Sequence, residues 1–220
     1  MSKVIIKYDG GEISNFLYFD NFFNNEYYES IFKWLKTLNY ISGIKKNNEK
    51  IDREQIWFDN NNNYFCKLWT QKQDRWQPHK YPNKLLEIEN RIKDKLHCLK
   101  QNNNNYNNNN NNNSNNIKNN YNFNTCLINK YNTGEDIISA HKDNKFSFGE
   151  YPNIIIYSVG CQRELKVNSD ISKESFIIPL LPNSLLIMSG ASQKYFTHEI
   201  IKNNSKDIRY SLTFRKYIDN

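Results

Sequence analysis

The chain predicts an α+β fold: short strands closing into a sandwich or barrel that carries the chemistry, with helices at one end. Three observations lead there. From Tyr121 onward the sequence breaks into short apolar or alternating runs divided by turn signals. Ahead of them lie two stretches with apolar residues at helical spacing. Between the two textures sits a tract of almost pure asparagine, residues 101–120.

Taken in order, residues 4–8 read as a strand ending at the Gly10-Gly11 turn. Asn24-Asn25-Glu26 then caps a helix whose apolar positions are Tyr27, Ile31, Trp34 or Leu35, and Leu38. Leu85, Ile88, Ile92, Leu96 and Leu99 repeat that spacing after Pro82, giving a second helix of about 16 residues. Both helices read as scaffold. The asparagine tract, like the shorter run 60–63, has too little apolar surface to pack and is expected to be a disordered insertion. The strands expected after it are 125–131, 154–159, 164–167, 175–178, 184–188, 196–200 and 208–217. Thr133-Gly134, Gly149, Gly160, Pro182-Asn183 and Ser189-Gly190 punctuate them. The resulting layout is a support and lid over 1–100, the insertion 101–120, and a core over 121–217, together forming one domain.

Composition narrows the setting. The 220 residues carry a net charge of +7, which favours polyanionic partners. Aromatic residues make up 15%, so the core should be rich in rings. Cys66, Cys98, Cys126 and Cys161 show neither metal-type spacing nor disulfide density, which points to a reducing compartment. No apolar run approaches the roughly 18 residues of a membrane span. The N-terminal residues are too charged for a secretory signal. The expectation is a soluble monomer, nuclear or cytoplasmic and not secreted.

The chemistry concentrates near the C-terminus. His141-Lys-Asp143 places two potential metal ligands two residues apart, on one face if the segment is a strand. His198 must join them from another strand. Two histidines and one carboxylate suit a ferrous ion with open positions. In 209–215, alternation puts Arg209, Ser211, Thr213 and Arg215 on one face and Tyr210, Leu212 and Phe214 on the other. A cationic face inside a barrel suits a carboxylate ligand. Arg209 and Arg215 lie about 20 Å apart along a strand. They serve one small diacid only if their side chains converge, so one of them can instead be a surface charge.

Together these segments resemble the AlkB family of nucleic-acid dealkylating oxygenases. The resemblance begins at Phe123-Asn124 and runs through Leu127-Ile-Asn129-Lys-Tyr131, His141-Lys-Asp143 and Tyr157-Ser-Val-Gly160. It continues through Leu181-Pro-Asn-Ser-Leu-Leu-Ile-Met188 and His198 to Arg209-Tyr-Ser-Leu-Thr-Phe-Arg215. It covers a little under half the chain.

The resemblance implies a double-stranded β-helix, or jelly-roll, core with Fe(II) held by His141, Asp143 and His198. The co-substrates would be 2-oxoglutarate and O2. Arg209 would pair with the far carboxylate of 2-oxoglutarate and Arg215 would lie near its chelating end. Asn129, Tyr131 and Ser211 would complete the pocket. The implied reaction is oxidative removal of an N-methyl group from a base in DNA or RNA. Such a base must be flipped out or single-stranded.

The aromatic and basic segment 64–81 is expected to form the substrate lid, with Tyr64, Phe65 and Trp69 stacking on the base and Lys67, Lys72, Arg75 and Lys80 nearby. Arg53-Glu-Gln55 with Trp57 would supply its other side. Two positions depart from the family pattern. Lys145 stands where repair members tend to have an acid, with Glu150 and Asp136 as possible substitutes, and Ser211 stands where asparagine is frequent. Two readings compete: the same core acting on a protein or lipid, and a non-catalytic barrel that binds nucleic acid.

Overall fold

The glycine turn is real, and it joins two strands of equal length. The computed structural model describes residues 2–44, 50–69, 73–107 and 121–218. Its first elements are β1 (Ser2–Asp9) and β2 (Glu12–Phe19), antiparallel in unbroken register from Ser2–Phe19 to Asp9–Glu12. Gly10 and Gly11 turn the chain at φ +57° and +78°, the left-handed pair that a tight hairpin requires. Helix α1 (Asn25–Lys36) follows. The Asn24 side chain accepts from the Tyr27 N–H at 2.8 Å, and Tyr27, Ile31 and Leu35 form the buried stripe.

The chain continues through β3 (Ile41–Ile44), β4 (Lys50–Asp59), a 3₁₀ turn (Asp74–Trp76) and the short β5 (Pro78–His79). Helix α2 (Asn83–Asn107) comes next. The remaining strands are β6 (Thr125–Tyr131), β7 (Ile138–His141), β8 (Ile154–Gly160) and β9 (Arg163–Ser169). After them come β10 (Ser175–Leu180), β11 (Ser184–Gly190), β12 (Phe196–Ile200) and β13 (Arg209–Arg215). Two single-turn helices, α3 (Lys145–Phe148) and α4 (Ser192–Tyr195), interrupt this run.

Two compact units result, Met1–Lys80 with Phe123–Asn220, and Tyr81–Asn122. The second contains α2, with Leu85, Ile88, Ile92 and Leu96 buried along one side and ion pairs Lys84–Glu87 and Lys93–Glu89 on it. Its length corrects the sequence-based boundary: the helix runs on to Asn107, into the asparagine tract. Residues 108–120 of that tract lie outside the described residues. No helix among the described residues is long and apolar enough to cross a membrane.

The first unit is built on two sheets. The larger runs β1-β2-β11-β8-β13-β6-β4-β3, with β5 beside β4, and the smaller runs β10-β9-β12-β7. Residues 1–80 therefore supply five strands to the main sheet as well as helix α1, more strand than the single one expected at residues 4–8. Those strands were hard to read because β4 mixes charged and apolar residues, with no clean alternation.

Phe16, Ile154, Ile156, Leu186 and Met188 from the larger sheet pack against Leu165, Val167, Leu180, Phe196 and Ile200 from the smaller. Each such side chain contributes about 1.5–3 kcal/mol when fully buried. On β8 the alternate residue Tyr157 faces away from this layer and meets Phe23 edge-on. One face of β8 thus fills the core while the other supports the segment leading into α1.

Candidate active site

Every polar residue the sequence singled out on β13 faces a cavity of about 350 Å³, lined by both sheets. Its walls hold His141, Asp143 and His198, with Asn129, Tyr131, Arg209, Ser211, Thr213 and Arg215. Leu127, Ile156, Leu165, Leu180 and Ile200 give it an apolar lining between these polar groups.

The metal-ligand candidates meet through sheet register. His141 closes β7 and pairs directly with His198 on β12, their rings 4.4 Å apart between centroids. One ligand atom from each of His141, Asp143 and His198 lies within 4.8 Å of the others. Asp143 gets there differently from the expectation that it would share a strand with His141. The strand ends at His141, and Asp143 stands two residues beyond it in a loop. Its backbone N–H is held by Gln193 Oε1 at 3.0 Å.

Protonation states suit a cation. His141 Nδ1 lies 2.8 Å from the Ser139 carbonyl, which can only accept, so Nδ1 carries a proton and Nε2 is the ring atom left to face a metal. Burial drives the His198 imidazolium down to a pKa of about 3, helped by neighbouring His141, so this ring is neutral. His198 Nδ1 is buried with no hydrogen-bond partner. Burial by itself would raise the Asp143 carboxyl, but the Arg215 guanidinium holds it below the usual carboxylate range. Two imidazoles and one carboxylate are a donor set that fits a ferrous ion.

The two arginines of β13 diverge. Arg215 grips Asp143 with two N–H groups, Nε to one oxygen and Nη2 to the other at 3.2 Å. It is not a surface charge: it is buried and lines the cavity beside the metal-ligand candidates. Arg209 is 1% exposed and has no acidic partner among the described residues. Its Nη2 donates to Ser158 Oγ at 3.1 Å, its cation stacks on Tyr131, and Nε and Nη1 are left unpaired. Asn129 Oδ1 is buried and unpaired nearby. Orphaned donors on a buried cation are what a bound carboxylate would satisfy. Burial lowers the Arg209 pKa, yet a guanidinium keeps its proton at neutral pH.

The residues expected to meet a base divide. Phe65 and Trp69 reach the cavity wall; Tyr64 does not. Tyr64 is buried, with its hydroxyl tied to the Gln73 N–H at 2.8 Å and its carbonyl accepting from Tyr217. The third ring at the wall is Trp76, stacked on Phe65 with 4.4 Å between centroids. Lys145 is absent from the wall: it is exposed at the start of α3, its ammonium over Phe146. Neither stand-in acid replaces it, since Glu150 is exposed and buried Asp136 is bound to the N–H groups of Asn132 and Thr133. Arg53 does line the cavity, whereas Lys72 lies outside the described residues.

Sequence reasoning overlooked Arg163, Gln193 and Lys142. Arg163 is 1% exposed, and its guanidinium donates to the carbonyls of Thr133, Gly134, Asp136 and Ile201. Its one local signal was a charge opening an otherwise alternating strand.

These features define a class. Residues 15–215 match the 2OG-Fe(II) oxygenase superfamily, and the chain belongs to it. Membership implies Fe(II), 2-oxoglutarate and O2. Within the class, the AlkB resemblance is carried by curated relatives. The chain is 35% identical over 103 residues to human alpha-ketoglutarate-dependent dioxygenase alkB homolog 3, covering 42% of this chain and 36% of that one. It is 26% identical over 117 residues to the DNA oxidative demethylase ALKBH2 of Arabidopsis thaliana, covering 42% and 37%. The chain therefore spans little more than a third of the length of these relatives.

Among solved structures, OsALKBH1 superposes with a TM-score of 0.65 at 16% identity, over 96% of this chain and 100% of that one. A prolyl hydroxylase from Trichoplax adhaerens, in complex with a hypoxia inducible factor peptide, gives 0.56 at 13% identity over 93% and 83%. Likeness at these identities concerns the fold alone, the jelly-roll core expected from the sequence.

Proposed function

We propose that this chain is a 2-oxoglutarate-dependent dioxygenase that oxidatively demethylates N-methylated bases in DNA or RNA, acting as a nuclear or cytoplasmic monomer. The observation that carries the reading is the pairing, in one cavity, of the His141–Asp143–His198 cluster with the unpaired N–H groups of Arg209. His141, Asp143 and His198 would hold Fe(II), which when bound with 2-oxoglutarate and O2 supplies the oxidising chemistry. Arg209 would bind the far carboxylate of 2-oxoglutarate, with Asn129, Tyr131 and Ser211 lining the same end. Arg215 acts on the metal ligand: it keeps Asp143 ionised and orients both of its oxygens.

At the mouth, Phe65, Trp69 and Trp76 offer the flat apolar surfaces on which an extruded base stacks. Arg53 would meet the sugar-phosphate backbone: its Nη1 donates to the Ile137 carbonyl at 3.3 Å, and its buried Nε has no partner. Arg75 stands close by. Its guanidinium occupies the space where a Cβ on Gly43 would come within 2.1 Å of Nη1. Gly43 pairs with Ile51, on the strand face that also carries Arg53, so both cations flank the aromatic wall. Two adjacent cations beside three rings suit a phosphodiester next to a base.

The test is mass spectrometry of methylated single- and double-stranded DNA and RNA oligonucleotides incubated with the protein, Fe(II), ascorbate and 2-oxoglutarate. Loss of about one methylene per lesion, dependent on 2-oxoglutarate and abolished by Asp143→Ala, is the expected result. Succinate formed without any mass loss would move the substrate to protein or lipid.

A further inference from the structure

The metal cluster is assembled from two segments with unequal support. His141 and His198 lie on paired strands, so ladder geometry sets their separation. Asp143 lies past the end of β7, and its carboxylate is drawn by Arg215 from β13. Its backbone is held by Gln193, from the single turn α4 that leads into the His198 strand.

That turn is itself anchored. Tyr195 Oη donates to Glu12 at 2.8 Å, and Lys194 pairs with the same carboxylate. The Tyr195 ring fills the space beside Gly10, where a Cβ would come within 2.6 Å of it. Lys142, between the two ligands, donates to the Lys194 carbonyl and pairs with Asp170. Both ends of the Lys142-Asp143 dipeptide therefore rest on α4, and α4 rests on the β1–β2 hairpin.

We propose that Gln193 is a positioning residue for the metal site, fixing the Asp143 backbone so that its carboxylate serves the ion while Arg215 pulls on it from the other side. Gln193 is buried, and its side-chain oxygen reaches Asp143 across 50 residues of chain. Without that acceptor the loop is free to follow Arg215, and Asp143 moves away from His141 and His198. The inference rests on the metal-site reading above, so its test must tell the two apart.

The test titrates the 220-residue chain with Co(II), without 2-oxoglutarate, and follows affinity calorimetrically for wild type, Asp143→Ala, Gln193→Met and Gln193→Glu. Loss of an outer hydrogen bond to a ligand typically weakens metal binding 10- to 100-fold, so Gln193→Met should bind Co(II) about tenfold more weakly. Gln193→Glu keeps an acceptor and should stay within about threefold of wild type. A residue that only fills space would lower the urea midpoint in Gln193→Met and leave Co(II) affinity alone.

Wild-type affinity in Gln193→Met, or equal weakening in Gln193→Glu, overturns the proposal. If Gln193→Met does not fold, Gln193→Asn, which withdraws the amide by one methylene, is read by the same criterion. Co(II) binding that survives Asp143→Ala unchanged would instead overturn the metal site itself, and this inference with it.

Discussion

Arg209 and Arg215 lie on the same face of one strand, and both are buried, yet the fold treats them in opposite ways. Arg215 has its counter-ion built in, both oxygens of Asp143. Arg209 has only a serine hydroxyl and the face of a tyrosine, and two of its nitrogens are left unpaired. Arg163 offers a third solution, a buried cation held by four backbone carbonyls with only its Nε unpaired. A buried guanidinium with most of its donors taken by internal acceptors is part of the scaffold. One that lacks both a counter-ion and most of its hydrogen bonds marks where a ligand brings the charge.

The two arginines separate most strongly when Asp143 is removed. Asp143→Ala should abolish turnover, by at least about 1000-fold, because it removes a metal ligand. It should also destabilise the apo-protein by about 3–5 kcal/mol, since Arg215 is left buried and unpaired. A urea midpoint equal to wild type would show that Arg215 is not held by this pair.

Arg209 should behave in the reverse manner. Arg209→Met should raise KM for 2-oxoglutarate by about 100-fold, the value of a lost charge-assisted contact. The same change should leave the urea midpoint unchanged or raise it, because an uncompensated buried charge is removed. In wild type, 2-oxoglutarate alone should raise the melting temperature, and in Arg209→Met it should not. A clear loss of apo stability in Arg209→Met would place Arg209 among the structural cations.

Acid should act on the metal end. His198 titrates near 6.5 when unfolded and at about 3 when folded, so the unfolded chain binds the extra proton between those values. Its contribution is complete above the unfolded pKa and is lost as pH falls toward 3. Asp143, held below its ordinary value, loses stability in the same direction, lower on the scale. The apo-protein should therefore weaken steadily below about pH 6.5 by a few kcal/mol in all. His198→Gln should flatten the upper part of that slope in urea titrations.

The smallest expected effect is at the mouth. Arg53→Gln should weaken single-stranded oligonucleotide binding and reduce the log–log salt slope by about 0.7, the share of one phosphate contact. An unchanged slope would remove Arg53 from the backbone contacts.

Much of the core was legible because strands with one buried face declare themselves. The expected runs 125–131 and 196–200 coincide with β6 and β12, and the alternation of 209–215 put the four polar residues on the cavity side. Asn24 announced α1 through the capping rule. The N-terminal strands were less visible, since β2 has no punctuation besides its shared turn and β4 is half charged. Segment 64–76 was the least legible: Tyr64, Phe65, Trp69 and Trp76 are equally aromatic in sequence, and only packing sends Tyr64 inward and the other three to the cavity.

The residue types and the shared face of β13 were written in the chain itself: two imidazoles, a carboxylate and two arginines on one side of a strand. These depend on periods of two and 3.6, which are local properties of the backbone. Only the tertiary structure decided who partners whom. It gave Asp143 to Arg215, left Arg209 without an anion among the described residues, set Gln193 against the Asp143 backbone and turned Lys145 to solvent. Those outcomes depend on how strands far apart in the chain come into register, and no local pattern encodes the distance between two charges that meet across a sheet.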